Sequence, residues 1–117
     1  MTHQETIENN IQLDGFMEMN KQGDNYVYTM KHSSKSNTEL EYHKNWQWLM
    51  SVVEKIESIT VENEQQYGVY IIGCDCHIED REGNVITEYL SEETKTNAVY
   101  FACLNFVDWY IENKSNN

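Results

Sequence analysis

A chain of 117 residues with three Trp, eight Tyr, three Phe and no proline is large enough for one apolar core without metal or disulfide staples. Its net charge of −12, from 20 acidic residues against 8 basic ones, repels phosphate and excludes direct nucleic-acid binding as a first expectation, while it attracts basic protein surfaces. Three cysteines, an odd number, speak against a disulfide framework and for a reducing, cytoplasmic setting.

No run of 18 apolar residues offers a membrane span, and the polar, acidic start MTHQETIENN lacks the regions of a secretory signal. Residues 4–19 read as a first helix with Ile7, Ile11, Leu13, Phe16 and Met17 on its apolar side and Glu5, Glu8, Asp14 and Glu18 in water. Gly15 weakens that helix by about 1 kcal/mol relative to Ala. Asn20 to Asp24 is a turn cluster, Asn25 to Met30 a short strand with Tyr26, Tyr28 and Met30 on one side, and Lys31 to Asn37 a polar loop.

The stretch Tyr42 to Ile59 has the strongest helical period. Tyr42, Trp46, Leu49, Val53 and Ile56 recur at spacings of four, three, four and three, with Trp48, Val52 and Ile59 widening the apolar face. Asn45 is the expected N-cap. A charged connection over Val61 to Gln66 leads to the best strand, Tyr67 to Glu79, on which simple alternation puts Tyr70, Ile72, Cys74, Cys76 and Ile78 on one face and Asp75, His77 and Glu79 on the other.

Asp80-Arg81-Glu82-Gly83 suits a tight hairpin loop, Asn84 to Leu90 the returning strand, and Thr94 the cap of a last helix with Asn97 at its third position. That helix carries Val99, Ala102, Cys103, Phe106, Trp109 and Tyr110 as its apolar stripe. The expected architecture is one α+β domain over 1–117, in the order helix, short strand, helix, β-hairpin, helix. The helices pack on one face of an antiparallel sheet, and residues 1–4 and 112–117 fray.

Little here points to catalysis. Cys74-Asp75-Cys76-His77 offers three potential zinc ligands, but the cysteines are one residue apart rather than two and no second ligand pair follows. Strand alternation accounts for it more simply, with Cys74 and Cys76 turned into the core and His77 away. The four histidines (His3, His32, His43, His77) form no nucleophile–base pattern, and neither G-x-S-x-G nor a glycine-rich phosphate loop occurs. The expectation is therefore a non-enzyme without metal or cofactor. Three Trp and eight Tyr are mostly core material, yet Trp48, Tyr67 and Tyr89 are candidates for partial exposure in an acidic patch, as at a protein–protein hot spot.

The acidity is uneven. Residues 54–93 hold eleven acids and two bases, nine of the twelve net negative charges. The simplest meaning is solubility; the sharper one is a surface for a basic protein.

The segments EYHKNWQWLMSVVEKIESI and TKTNAVYFACLNFVDWY resemble a group of small proteins encoded in Bacteroidota genomes and their phages. The shared pattern stands here as Tyr42-His43, Trp46-Gln47-Trp48-Leu49-Met50, Val52 to Glu57, Ala98-Val99-Tyr100, Phe106 and Trp109-Tyr110. Ile11 to Met17 is similar more loosely to that group's first helix, and Ser51 departs from a position where proline is common. The resemblance implies lineage more than activity. By its mobile-element setting, size and acidity it is similar to anti-CRISPR proteins, and it implies an inhibitor of an RNA-guided nuclease, a type VI effector first.

On that expectation the protein-binding residues are Glu79, Asp80, Glu82 and Glu88 around the hairpin, with Glu62 and Glu64 nearby, acting as a nucleic-acid mimic toward a basic channel. The alternative is an accessory interaction domain whose acidity keeps it soluble. A homodimer through exposed aromatics stays open.

Overall fold

The computed structural model describes residues 2–22, 25–27, 40–90 and 93–115. Helix α1 (His3–Met17) starts on a capping box, with the Thr2 hydroxyl accepting from the Glu5 amide at 3.0 Å and the Glu5 carboxylate accepting from the Thr2 amide at 3.3 Å. That box places the first helical residue at His3, so the expected fraying of 1–4 does not extend to His3 and Gln4. A short hairpin follows, β1 (Asn20–Gln22) against β2 (Asn25–Val27). Of the turn expected over Asn20 to Asp24, Asn20 to Gln22 are instead the strand β1; Gly23 and Asp24, the continuation of the second strand to Met30 and the polar loop Lys31 to Asn37 lie outside the described residues.

Helix α2 (Trp46–Glu57) begins where Asn45 caps it, its Oδ1 accepting from the Gln47 and Trp48 amides at 3.0 and 3.2 Å. Tyr42 therefore belongs to the turn before the helix, and Trp46, at the first helical position, is exposed instead of joining the apolar face. Leu49, Val52, Val53 and Ile56 are buried as their spacing requires. The helix runs through Ser51 without a break.

Val61 to Gln66 is a hairpin in miniature, β3 (Thr60–Val61) pairing with β4 (Glu64–Gln65) across a two-residue turn. Both turn residues, Glu62 and Asn63, have positive φ, 53° and 67°, the twist that two-residue hairpins favour and that side chains other than Gly, Asn and Asp resist.

Next comes a three-stranded antiparallel meander in place of a two-stranded hairpin. The expected single strand Tyr67 to Glu79 is two strands, β5 (Tyr67–Ile72) and β6 (Asp75–Asp80), joined by a Gly73-Cys74 turn; β7 (Val85–Leu90) completes the order β5-β6-β7. Gly73 has φ +59° and Cys74 does not share that sign, the pattern of a tight turn with glycine at its first central position. A two-residue turn inverts the alternation. Ile72 pairs with Asp75 and Tyr70 with His77, so Tyr70 and Ile72 share a face with Asp75, His77 and Glu79, while Val69 and Ile71 join Cys76 and Ile78. The expected faces are corrected by that parity change, and Cys74 sits in the turn instead of in the core.

Helix α3 (Lys95–Ser115) starts on Thr94, whose hydroxyl accepts from the Asn97 amide at 3.0 Å, and runs on through Glu112 to Ser115, past the point where fraying is expected. It covers the inner face of β6 and β7, while α2 lies against β5 and α1 packs across α2 and α3. This is the α+β arrangement of helices on one sheet face. The core is aromatic at its centre: Phe16 meets Phe106 and Tyr110 edge-on at 6.5 and 6.2 Å, and Tyr67 meets Phe106 edge-on at 4.9 Å. Tyr67 is thus core, not surface, whereas Trp48 and Tyr89 are half-buried.

Candidate interaction surface

The residues that carry the resemblance have architectural work. Tyr42 donates its hydroxyl to Asp14 Oδ1 at 2.9 Å, which places Asp14 inside the protein and corrects the expectation that it stays wet. One helical turn earlier, Asn10 donates its amide to His43 Nδ1 at 2.9 Å and to the Leu40 carbonyl at 3.1 Å, and accepts from the Tyr100 hydroxyl at 2.9 Å. Adjacent Tyr42 and His43 thereby hold two polar residues four apart on α1, the spacing of one helix face. An imidazole that accepts at Nδ1 carries its proton on Nε2, and burial, then Lys44, holds His43 below the ordinary histidine range.

Lys55 and Glu57 extend the same role. The Lys55 ammonium donates to the Met17 and Met19 carbonyls at 2.9 and 2.6 Å, capping the C-terminal end of α1. Burial pushes Lys55 down to about 8, against the pull of the Glu18 carboxylate. Glu57 accepts from the Val69 amide at 3.1 Å, fixing β5 to α2. These groups are spent on the scaffold, which leaves the surface to carry function.

The Cys-Asp-Cys-His string is dispersed by the hairpin: Cys74 lies in the turn, Cys76 on the inner face, and His77 on the outer face. Burial raises Cys76 to about 11 and lifts Cys103 well above the thiol range, so both are inert hydrophobes at neutral pH. Among the described residues no group of three His, Cys, Asp or Glu is placed to hold a metal ion, and no helix is long and apolar enough to cross a membrane.

The six expected contact acids separate into two sets. Glu62, Glu64, Asp80 and Glu82 gather at one end, where the Glu62-Asn63 turn and the Arg81 loop are tied together by an ion pair between Arg81 and Glu64. Asp80 is occupied there by the turn itself. Its carboxylate accepts from the Glu82 and Asn84 amides at 2.9 Å each and from the Asn84 side chain at 3.2 Å. The Asn84 amide above all, with those of Glu82 and Gly83, holds its carboxyl below the ordinary aspartate range. Gly83, at φ +86°, closes the loop as expected. Reversing Asp80 would test the turn rather than the surface; Glu62 and Glu82 are exposed carboxylates of this end, and Glu64, exposed as well, is paired with Arg81.

Glu79 and Glu88 belong to the second set, on the outer face of the meander. The pairing builds three rows across it: Ile72–Asp75–Leu90, Tyr70–His77–Glu88 and Gly68–Glu79–Val85. Ile72, Leu90, Val85 and Tyr70 are 67, 64, 54 and 47 % exposed, so four of the largest exposed apolar side chains lie on a single face. The centre is ordered in advance. Tyr70 stacks on His77 with centroids 5.1 Å apart and planes 14° off parallel, and His77 Nε2 lies 2.7 Å from Glu79 Oε2. Gly68 makes room for this, since a Cβ there would come within 3.2 Å of the Tyr70 ring.

Sequence reasoning placed Glu79 and Glu88 on strands, Glu62 and Glu64 in a connection and Asp80 and Glu82 in a loop, and did not group Tyr70, Ile72, Val85, Leu90 and Asp75 with them. The available signal was Gly73: a glycine inside an apparent strand marks a turn or a bulge.

No family model, curated protein or solved structure matches this chain.

Proposed function

We propose that this protein is a non-enzymatic binder of a basic, nucleic-acid-handling protein, acting as an inhibitor of an RNA-guided nuclease of the type VI anti-CRISPR kind. The observation that carries the reading is the concentration of negative charge on one part of the fold. Glu62, Glu64, Asp80 and Glu82 share one end of the molecule, and Asp75, Glu79 and Glu88 line the sheet face that leads away from it. A nuclease that holds its guide does so in a positively charged channel, which such a surface complements and from which it would displace nucleic acid. The Tyr42-His43 and W-x-W-L-M resemblance supplies the choice of partner; the charge supplies its chemistry.

A guide-loaded type VI effector cleaving a fluorescent target RNA tests this. Equimolar protein is expected to abolish cleavage, with inhibition weakening as salt rises. Glu62→Lys/Glu82→Lys/Glu88→Lys, three exposed positions, is expected to raise the inhibitory concentration about tenfold or more. Full cleavage at saturating wild-type protein, with no complex on size-exclusion chromatography, would overturn the inhibitor reading in favour of an accessory interaction domain.

A further inference from the structure

We propose that the outer face of the β5–β7 meander is the seat for a basic amphipathic helix presented by the partner, an inference that rests on the function just given and specifies what the partner offers. Charge alone would be served by the loop end. The outer face differs because apolar and acidic side chains alternate across it: Asp75 lies between Ile72 and Leu90, and His77 between Tyr70 and Glu88. Isolated exposed aliphatics are ordinary, but a contiguous group on an uncovered sheet face marks a contact site.

The dimensions suit one helix. Strands about 4.8 Å apart make the face about 10 Å wide, and six-residue strands make it about 20 Å long. A helix is about 10–12 Å across and reaches 20 Å in about 13 residues. Laid along β6, its Lys or Arg residues would meet Asp75 and Glu79 beneath its axis, and apolar residues on either side would meet Ile72 and Tyr70 on β5 and Leu90 and Val85 on β7. Tyr70, held down by His77 and Gly68, is a rigid anchor that loses little conformational freedom on contact.

Charge also excludes the other occupants. Two copies of this chain packed face to face would bring three carboxylates against three, with one histidine from each copy among them, and like charges across an interface are costly. Nucleic acid would bring phosphate to the same carboxylates.

The test uses the full-length protein labelled for NMR and three synthetic peptides of about 14 residues. One is a helix former with a Lys and Arg stripe flanked on both sides by Leu, one carries the same Leu residues flanking a Glu stripe, and one is oligolysine. The first is expected to bind and to shift the amides of residues 70, 72, 75, 77, 88 and 90; the other two are expected to bind at least about tenfold more weakly. Ile72→Lys/Leu90→Lys, at two exposed positions, is expected to weaken the first peptide about tenfold or more, and Glu62→Lys/Glu82→Lys less than about threefold.

Equal binding of oligolysine, shifts confined to the loop end, or concentration-dependent self-association through the outer face would each overturn the proposal. An effector inhibited equally by wild type and by Ile72→Lys/Leu90→Lys would overturn it while leaving the proposed function intact. Specific peptide binding by a protein that inhibits no effector would support the seat and overturn only the function.

Discussion

His77 and Ile78 are neighbours on β6 with opposite fates. Ile78 is sealed beneath α3, whereas His77 stands on a face that none of the described helices covers. The inner face is the more apolar, with Tyr67, Val69, Ile71, Cys76, Ile78 and Tyr89 turned toward the core, yet Tyr70, Ile72, Val85 and Leu90 face outward. Hydrophobicity therefore favours the face the helices take. Charge separates the two faces further. Asp75, Glu79 and Glu88 all point outward, and burying them unpaired under α3 would cost several kcal/mol each. The carboxylates and the greater apolar content of the inner face select the same orientation, and the outward apolar residues are left for something else.

The sharpest way to break this comparison is to truncate an isoleucine on each side. Ile78→Ala is expected to cost about 2–4 kcal/mol by the cavity it leaves, and Ile72→Ala less than about 0.5 kcal/mol, both read from urea denaturation. Similar losses at the two positions would mean that the outer face is covered.

Next in size is the polar clasp on α1. Tyr42→Phe removes the donor to Asp14 and leaves a buried carboxylate short of a partner, an expected loss of about 1–3 kcal/mol with the sheet surface unchanged by NMR. The same core sets an alkaline limit. Burial raises Tyr42 above the tyrosine range and lifts Tyr67 and Tyr100 to about 12, against about 10 in an unfolded chain. The folded state thus keeps protons that the unfolded state releases. This contribution is complete below pH of about 10 and is lost as pH rises toward 12, so tyrosinate absorbance and loss of helical circular dichroism are expected to rise together over that window.

The smallest change concerns the β3–β4 turn. Glu62→Asn relieves a left-handed position that glutamate tolerates poorly and is expected to stabilise by about 0.5–1 kcal/mol in thermal melts. Because it also removes one carboxylate from the loop end, its effect on partner binding separates that end from the outer face.

Much of the fold was legible. The spacing of Leu49, Val53 and Ile56, the caps Asn45 and Thr94, and the Asp80–Gly83 loop are local signals, and local chemistry settled them. Of the candidate surface, only the acidic residues were picked out. Period-2 reasoning carried straight through Gly73, and one unrecognised two-residue turn moves every preceding side chain to the opposite face. Trp46 and Asp14 were misplaced for a different reason: helical periodicity says nothing about where the first turn meets solvent, or that a tyrosine 28 residues away will hold an aspartate inside.

Lys55 and Glu57, two residues apart on α2, hold the end of α1 and an amide of β5. Opening either neighbour alone would strand a charged group at the surface of α2 without its partner, so partial unfolding is penalised at both ends of one short helix. The amides of α1 and the Val69 amide should therefore exchange with deuterium at rates that converge on the global unfolding rate, and α1, α2 and β5 should resist proteolysis as a unit, holding the outer face in one arrangement.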